Sequence, residues 1–302
     1  LSNDVEFRKL GLLIIDEEQR FGVKQKEKLK KLRDNIDILS LSATPIPRTL
    51  YLTISGLRQV SQINTPPFGR MPINTHVMPY DESAIKDAIE NEIKRGGQVY
   101  FLHNRIETID KTLLNLKKIL PEIKFDIAHG KLSEKSLINV MHRFKDKKFD
   151  VLIATTIIEN GLDLKNVNTL IVDDATRLGL AQAHQIRGRI GRHTVPAYAY
   201  LMYPVRSSRV SDHKRTRDNG NDASATSDGV YQEKSLTEDG QKRLEALEKY
   251  SDLGSGYQLA MKDLEIRGAG NILGKKQSGM VNQIGLNLYC EILNEAIERL
   301  RI

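Results

Sequence analysis

The chain has 302 residues, with 46 Lys and Arg against 39 Asp and Glu, a formal net charge of +7 and 39% hydrophobic residues. That is enough for one large or two ordinary domains, each with a core. One cysteine excludes an internal disulfide framework, and no apolar run reaches the roughly 18 residues of a membrane-crossing helix. Leu1 to Leu10 shows no signal-peptide pattern and no initiator Met, so the sequence reads as a fragment. The basic excess permits a polyanionic partner such as nucleic acid, and it equally suits an ordinary surface.

In chain order, Leu12 to Ile15 and Ile36 to Ser42 are aliphatic runs with polar carboxyl ends, which predict buried parallel strands. Val23 to Leu32 between them predicts a solvated helix, and Arg48 to Leu57 predicts another. The Pro- and Gly-rich stretch from Asn64 reads as a linker over 64–74. From Asp81 the pattern alternates between helical and strand periods, as parallel α/β units require. Ile85, Ile89 and Ile93 share a helical face that closes at Gly96-Gly97, and the strand Gln98 to His103 comes next. Ile109, Leu113, Leu116 and Leu120 repeat the helical spacing before the strand Lys124 to Ala128. Leu137, Val140, Met141 and Phe144 mark a third helix, before the strand Asp150 to Ala154. Strands Thr169 to Val172 and Ala197 to Tyr203, with a helix Leu180 to Ile190 between them, complete an α/β parallel-sheet domain over 75–204. Residues 205–236 are polar and predict a flexible loop. Leu244, Leu247, Tyr250 and Leu253 then mark a helix, and the glycine-punctuated stretch Gly254 to Gly285 is expected to dock on the preceding domain.

Two constellations carry chemistry. Asp16-Glu17 ends a predicted strand, where doubly wound sheets place ligands. An acidic pair there suits a nucleotide site, one carboxylate holding Mg²⁺ and the next orienting water, while the plain reading is a helix cap or turn. In Gln185-Ile186-Arg187-Gly188-Arg189-Ile190-Gly191-Arg192, three arginines at short spacing could gather on one anion, as a transferring phosphoryl group needs. The alternative is a solvated basic helix. Cys290 stands alone in an apolar stretch and reads as a small core residue. His103, His129, His184 and His193 lack the close spacing and Cys partner of a zinc site.

At these residues the sequence resembles superfamily two DNA translocases. Asp16-Glu17-Glu18-Gln19-Arg20-Phe21-Gly22-Val23 looks like their extended Walker B box, and Ser42-Ala43-Thr44-Pro45-Ile46-Pro47-Arg48-Thr49-Leu50 like their coupling motif. Thr155 to Asp163 and Gln185 to Arg192 resemble their fifth and sixth motifs. Within the superfamily the chain is most similar to the bacterial transcription-repair coupling factors, with RecG helicases as near relatives. Asp-Glu-Glu-Gln-Arg at 16–20 and Gly-Ala-Gly at 268–270 favour the former over RecG's usual Asp-Glu-Gln-His-Arg and Gly-Pro-Gly.

The resemblance implies a partial first RecA-like lobe at 1–63, a complete second lobe at 75–204 and a C-terminal helical translocation module at 237–302. It implies an ATP-driven motor on double-stranded DNA in the bacterial cytoplasm, with no membrane contact, whose missing domains meet RNA polymerase and excision-repair proteins. Asp16 would bind Mg²⁺ through ATP, and Glu17 would activate water. Ser42 and Thr44 would couple nucleotide state to DNA. Gly161 and Asp163 would lie by the nucleotide, Gln185 would sense it, and Arg189 and Arg192 would be arginine fingers. Thr155 and Thr156 would touch the DNA backbone, His129 would make a further contact to it or simply form a turn, and Arg267 and Gln277 would belong to the translocation module. No Gly-x4-Gly-Lys-Ser/Thr occurs, since Gly130-Lys131 runs into Leu132 and Gly274-Lys275 into Lys276. The first lobe is therefore expected to lack its phosphate-binding half. A RecG-like branched-DNA helicase and a DNA- or protein-binding module without ATPase activity are the competing readings.

Overall fold

A computed structural model describes residues 7–17, 21–22, 25, 36–42, 61–63, 65, 71–156, 166–191, 195–204, 206–208, 232–234, 237–252, 254–267, 292, 295 and 299. The chain divides into two compact units, one comprising Leu1–Pro67, Leu180–Gln185 and Asp252–Ile302, the other Phe68–Gly179 and Ile186–Ser251.

The second unit holds strands β3 (Ile73–Pro79), β4 (Gln98–Leu102), β5 (Phe125–Ala128), β6 (Val151–Ala154), β7 (Val167–Val172) and β8 (Ala197–Tyr203) in one sheet, ordered β3-β8-β7-β4-β6-β5. Every ladder in it is parallel. Strands β4, β6 and β7 are buried along their whole length, as parallel strands covered on both faces must be. Helices α1 (Glu82–Lys94), α2 (Ile106–Ile119) and α3 (Glu134–Lys145) bring their predicted apolar faces to this sheet. Ile85, Ile89, Phe101, Ile109, Leu116, Ile153 and Ile171 form the centre of the core.

The caps explain the helix starts. Asp81 accepts from the Ser83 N–H at 2.8 Å ahead of α1, and Ser133 Oγ from the Ser136 N–H at 3.2 Å ahead of α3. Gly96, at φ 79°, supplies the left-handed step at the end of α1.

Several expectations need correction. Strand β3 begins at Ile73, inside the stretch read as a linker; it is an edge strand, which tolerates Pro79 at its end. The segment read as a flexible loop has ends that pair, β9 (Arg206–Ser208) running antiparallel to β10 (Gln232–Lys234). The helix at 180 stops at Arg187, as α4 (Leu180–Arg187). Helix α5 (Glu238–Lys249) ends at its cap Tyr250, before Leu253. Helix α6 (Gly256–Arg267) occupies the start of the glycine-punctuated stretch. Its sole glycine is its first residue, and the next glycine in the sequence is Gly268. Residues from Asp252 onward group with Leu1–Pro67, not with the domain before them.

In the first unit, β1 (Leu12–Asp16) and β2 (Asp37–Leu41) pair in parallel, in register from Leu12↔Asp37 to Asp16↔Leu41. Burial was expected of both strands, yet only Ile15 is buried, while Leu12 and Ile14 are 53% and 57% exposed. A two-stranded sheet has no interior strand, so aliphatic runs here do not imply full cover. The helices expected at Val23 to Leu32 and Arg48 to Leu57 lie, but for Gln25, outside the described residues. No helix among the described residues is long and apolar enough to cross a membrane.

Candidate nucleotide site and arginine helix

Strand β1 delivers two successive carboxylates. Asp16 is its last residue and is exposed, while Glu17 is half-buried. The Glu17 N–H extends the ladder by donating to Leu41 O at 2.9 Å, and its φ of 52° is left-handed. For a residue with a Cβ that conformation costs about 1–2 kcal/mol, and its appearance at a polar strand end is a reason to look for function. One oxygen of Glu17, Oε2, accepts from Ser42 Oγ at 3.3 Å and from Gln185 Nε2 at 3.2 Å. Within the first unit, three expected site residues thus meet on a single carboxylate atom.

The donor set is hard oxygen. Among the described residues no group of three or more His, Cys, Asp or Glu gathers to hold a metal. Asp16 at the strand end is the kind of lone carboxylate by which Mg²⁺ would be held when substrate phosphates and waters complete its coordination, with Glu17 beside it. The residues present fit Mg²⁺ and a nucleotide in that limited sense. Thr44, Gly161, Asp163, Arg192 and Gln277 lie outside the described residues, and of Arg267 only the backbone, closing α6, is described.

Arg187 overturns the expectation of three arginines on one anion. It is 3% exposed, and its Nη1 and Nη2 donate to Leu247 O at 3.4 Å and Tyr250 O at 3.1 Å. Those carbonyls belong to the C-terminus of α5, where a helix leaves acceptors unsatisfied and the dipole favours a cation. Arg187 is thus a cap for another helix. Arg189 is half-buried in the turn after α4, its N–H donating to Ile186 O at 3.0 Å.

Thr155 follows β6 with its hydroxyl buried and without a hydrogen-bond partner among the described residues, while its carbonyl accepts from Tyr100 Oη at 3.3 Å. Thr156, half-buried in the next turn, is the more open of the pair. His129 folds back locally, Nδ1 accepting from the Lys131 N–H at 3.3 Å and its carbonyl from the Leu132 N–H at 3.1 Å. In α6, Glu265 is engaged by Lys262 at 2.8 Å.

A second polar group went unread in the sequence. Strands β4 and β7 are neighbours, and the chain leaves their carboxyl ends in opposite directions, β4 toward β5 and β7 toward β8. That is a topological switch point, where open α/β sheets hold ligands. Here His103 Nδ1 bonds Asp173, His103 Nε2 meets Thr108 Oγ1 at 2.7 Å, and Arg177 Nε meets Asp174 at 2.7 Å. Asn104 Oδ1 and Asp173 Oδ1 are buried without a partner among the described residues. Burial, then the charges of Glu82 and Asp173, push the nearby Tyr80 phenol up. The cluster is rich in acceptors. Two polar residues straight after each of two apolar runs, His103-Asn104 and Asp173-Asp174, were the available signal.

Comparison with known proteins fits this geometry. Residues 82–194 match the helicase conserved C-terminal domain. The transcription-repair-coupling factor of Myxococcus xanthus is 46% identical over 301 residues, covering 100% of this chain and 23% of that protein. The Bacillus subtilis (strain 168) protein of the same name is 47% identical over 298 residues, covering 99% and 23%. A solved structure of RecG bound to a three-way DNA junction aligns with a TM-score of 0.63 at 30% identity, covering 96% of this chain and 34% of that one. The six-stranded unit is thus a RecA-like helicase lobe. Over the 23% of their length that it spans, the chain belongs to the transcription-repair-coupling factor family.

Proposed function

We propose that this chain is the C-terminal motor segment of an ATP-driven double-stranded DNA translocase, which displaces stalled RNA polymerase and recruits nucleotide excision repair in the bacterial cytoplasm. The observation that carries the reading is the convergence of Ser42 and Gln185 on Glu17 Oε2. A carboxylate held from two sides is oriented to position a water and take its proton, and it feels any movement of either partner.

Bound ATP, with Mg²⁺, would supply the phosphoryl group whose transfer to water drives the motor. Asp16 would hold the Mg²⁺, and Gly161 and Asp163 would line the nucleotide. Gln185 would report the nucleotide's state through Glu17, and Ser42 with Thr44 would pass that state toward DNA. Arg189 and Arg192 would meet charge that develops on the phosphoryl oxygens. Thr156, more open than Thr155, and His129 would face the DNA backbone, while Arg267 and Gln277 would serve translocation. RNA polymerase and repair proteins would be met by other parts of a longer protein. Lacking a phosphate loop, the isolated chain would bind DNA without turnover.

In the full-length protein, Arg192→Ala is expected to cut turnover by on the order of 10³–10⁵ while nucleotide binding persists. A near-normal rate would refute the finger assignment. The likeness to RecG supports a second reading, a branched-DNA helicase. Displacement of stalled polymerase and unwinding of a three-way junction, assayed side by side, choose between them.

A further inference from the structure

Strand β4 is buried along its length, and Tyr100 at its centre is 2% exposed, between the wholly buried Val99 and Phe101. A phenylalanine would fill the same space with no polar atom, whereas a buried tyrosine needs a partner for its hydroxyl. Tyr100 Oη finds one across the strand pair, donating to Thr155 O at 3.3 Å, one residue beyond the end of β6.

That bond falls where the ladder stops. Around the end of β6, the His103 N–H donates to Ala154 O at 2.9 Å from the β4 side, and the Thr155 N–H donates to Ala128 O at 3.2 Å on the β5 side. Thr155 is 6% exposed, and its hydroxyl is buried without a partner among the described residues, so its side chain ties down nothing there. Its carbonyl is what remains, and Tyr100 holds it. Thr155 O and the N–H of Thr156 belong to one planar peptide unit. With the N–H of Thr155 fixed on β5 and its carbonyl on Tyr100, the plane that leads into Thr156 has a set orientation. Thr155 is thus the anchor of the pair, and the half-buried Thr156 is the residue it presents.

We propose that Tyr100 is a positioning residue for Thr156, its hydroxyl setting the turn from which Thr156 meets the DNA backbone. The proposal rests on the DNA reading for Thr156, while the positioning is testable apart from it. Phosphate contacts fix a protein's register on a duplex, so a turn that carries one gains from a rigid support in the core beneath it.

Tyr100→Phe removes the hydroxyl and keeps the packing, and two measurements on the 302-residue chain read its effect. Backbone order parameters of Thr155 and Thr156 are expected to fall, with those along β4 and β6 unchanged. Unchanged order at Thr156 overturns the proposal, and so does loss of order along both strands, which marks a merely structural hydroxyl. Affinity for a fluorescein-labelled DNA duplex, read by anisotropy, is expected to fall about fivefold, the worth of one ordinary hydrogen bond. Its dependence on salt is expected to keep the same slope, because Tyr100 neutralises no phosphate. In a Thr156→Ala background the same change is expected to add nothing. Additive losses, an unchanged affinity or a reduced slope overturn the proposal. If Thr156→Ala itself leaves affinity intact, the DNA reading for Thr156 fails, and the order parameters still decide the positioning.

Discussion

Carboxylates in this chain do different work according to what surrounds them. Asp81 is fully exposed, yet hydrogen bonds from the Ser83 hydroxyl and then the Ser83 backbone N–H hold its carboxyl below the usual range. A depressed folded value means that the ionised form is favoured by folding. The stabilisation is therefore present above the unfolded value of about 3.9 and is lost as pH falls through the folded one. Asp81→Asn keeps a cap and removes the titration. Its stability relative to the parent chain is expected to be lower at neutral pH and to converge with it in acid, read from urea midpoints; equal differences at every pH would contradict this. The acidic pair Asp16-Glu17 was legible in the sequence because a strand end and two carboxylates are local facts. The aim of Arg187 was not, because only the tertiary position of α5 decides whether a guanidinium meets a phosphate or a helix carbonyl.

The bond from α4 to α5 carries a prediction about elements. Arg187 is buried and serves Leu247 O and Tyr250 O, so Arg187→Ala leaves unsatisfied carbonyls and a cavity. A loss of about 2–4 kcal/mol is expected in denaturant unfolding. A change under about 1 kcal/mol would mean that Arg187 is a solvated cation after all. Long helices with one clear period, α1 to α3, and the apolar runs of β4 after Gln98 and of β6 could be read from sequence. Strand β3 could not, because an edge strand covered by fewer neighbours alternates weakly, and Ile73-Asn74-Thr75-His76 offers few apolar positions. Strands β9 and β10, three residues each, are too short to carry a pattern.

At the scale of the molecule, the β9 and β10 pairing brings Ser208 opposite Gln232. An antiparallel pair so closed can be joined by a two-residue turn. Replacing residues 209–231 with Asn-Gly is accordingly expected to leave the thermal midpoint of the chain within a few degrees, and a collapse of the midpoint would show that the replaced residues hold the fold together. The division into units was only partly legible: the second lobe comes from its α/β alternation, whereas the grouping of residues beyond Asp252 with the start of the chain depends on contacts far apart in sequence. That grouping has a consequence for the order of synthesis. The second unit is complete once Ser251 has been made, but the first draws on three separated stretches, the last beginning at Asp252. Domains fold as units as they emerge, and contacts between distant stretches must wait for loop closure. A ribosome therefore releases every residue of the second unit before the stretch from Asp252, so the helicase lobe can fold while the first unit still lacks one of its three stretches.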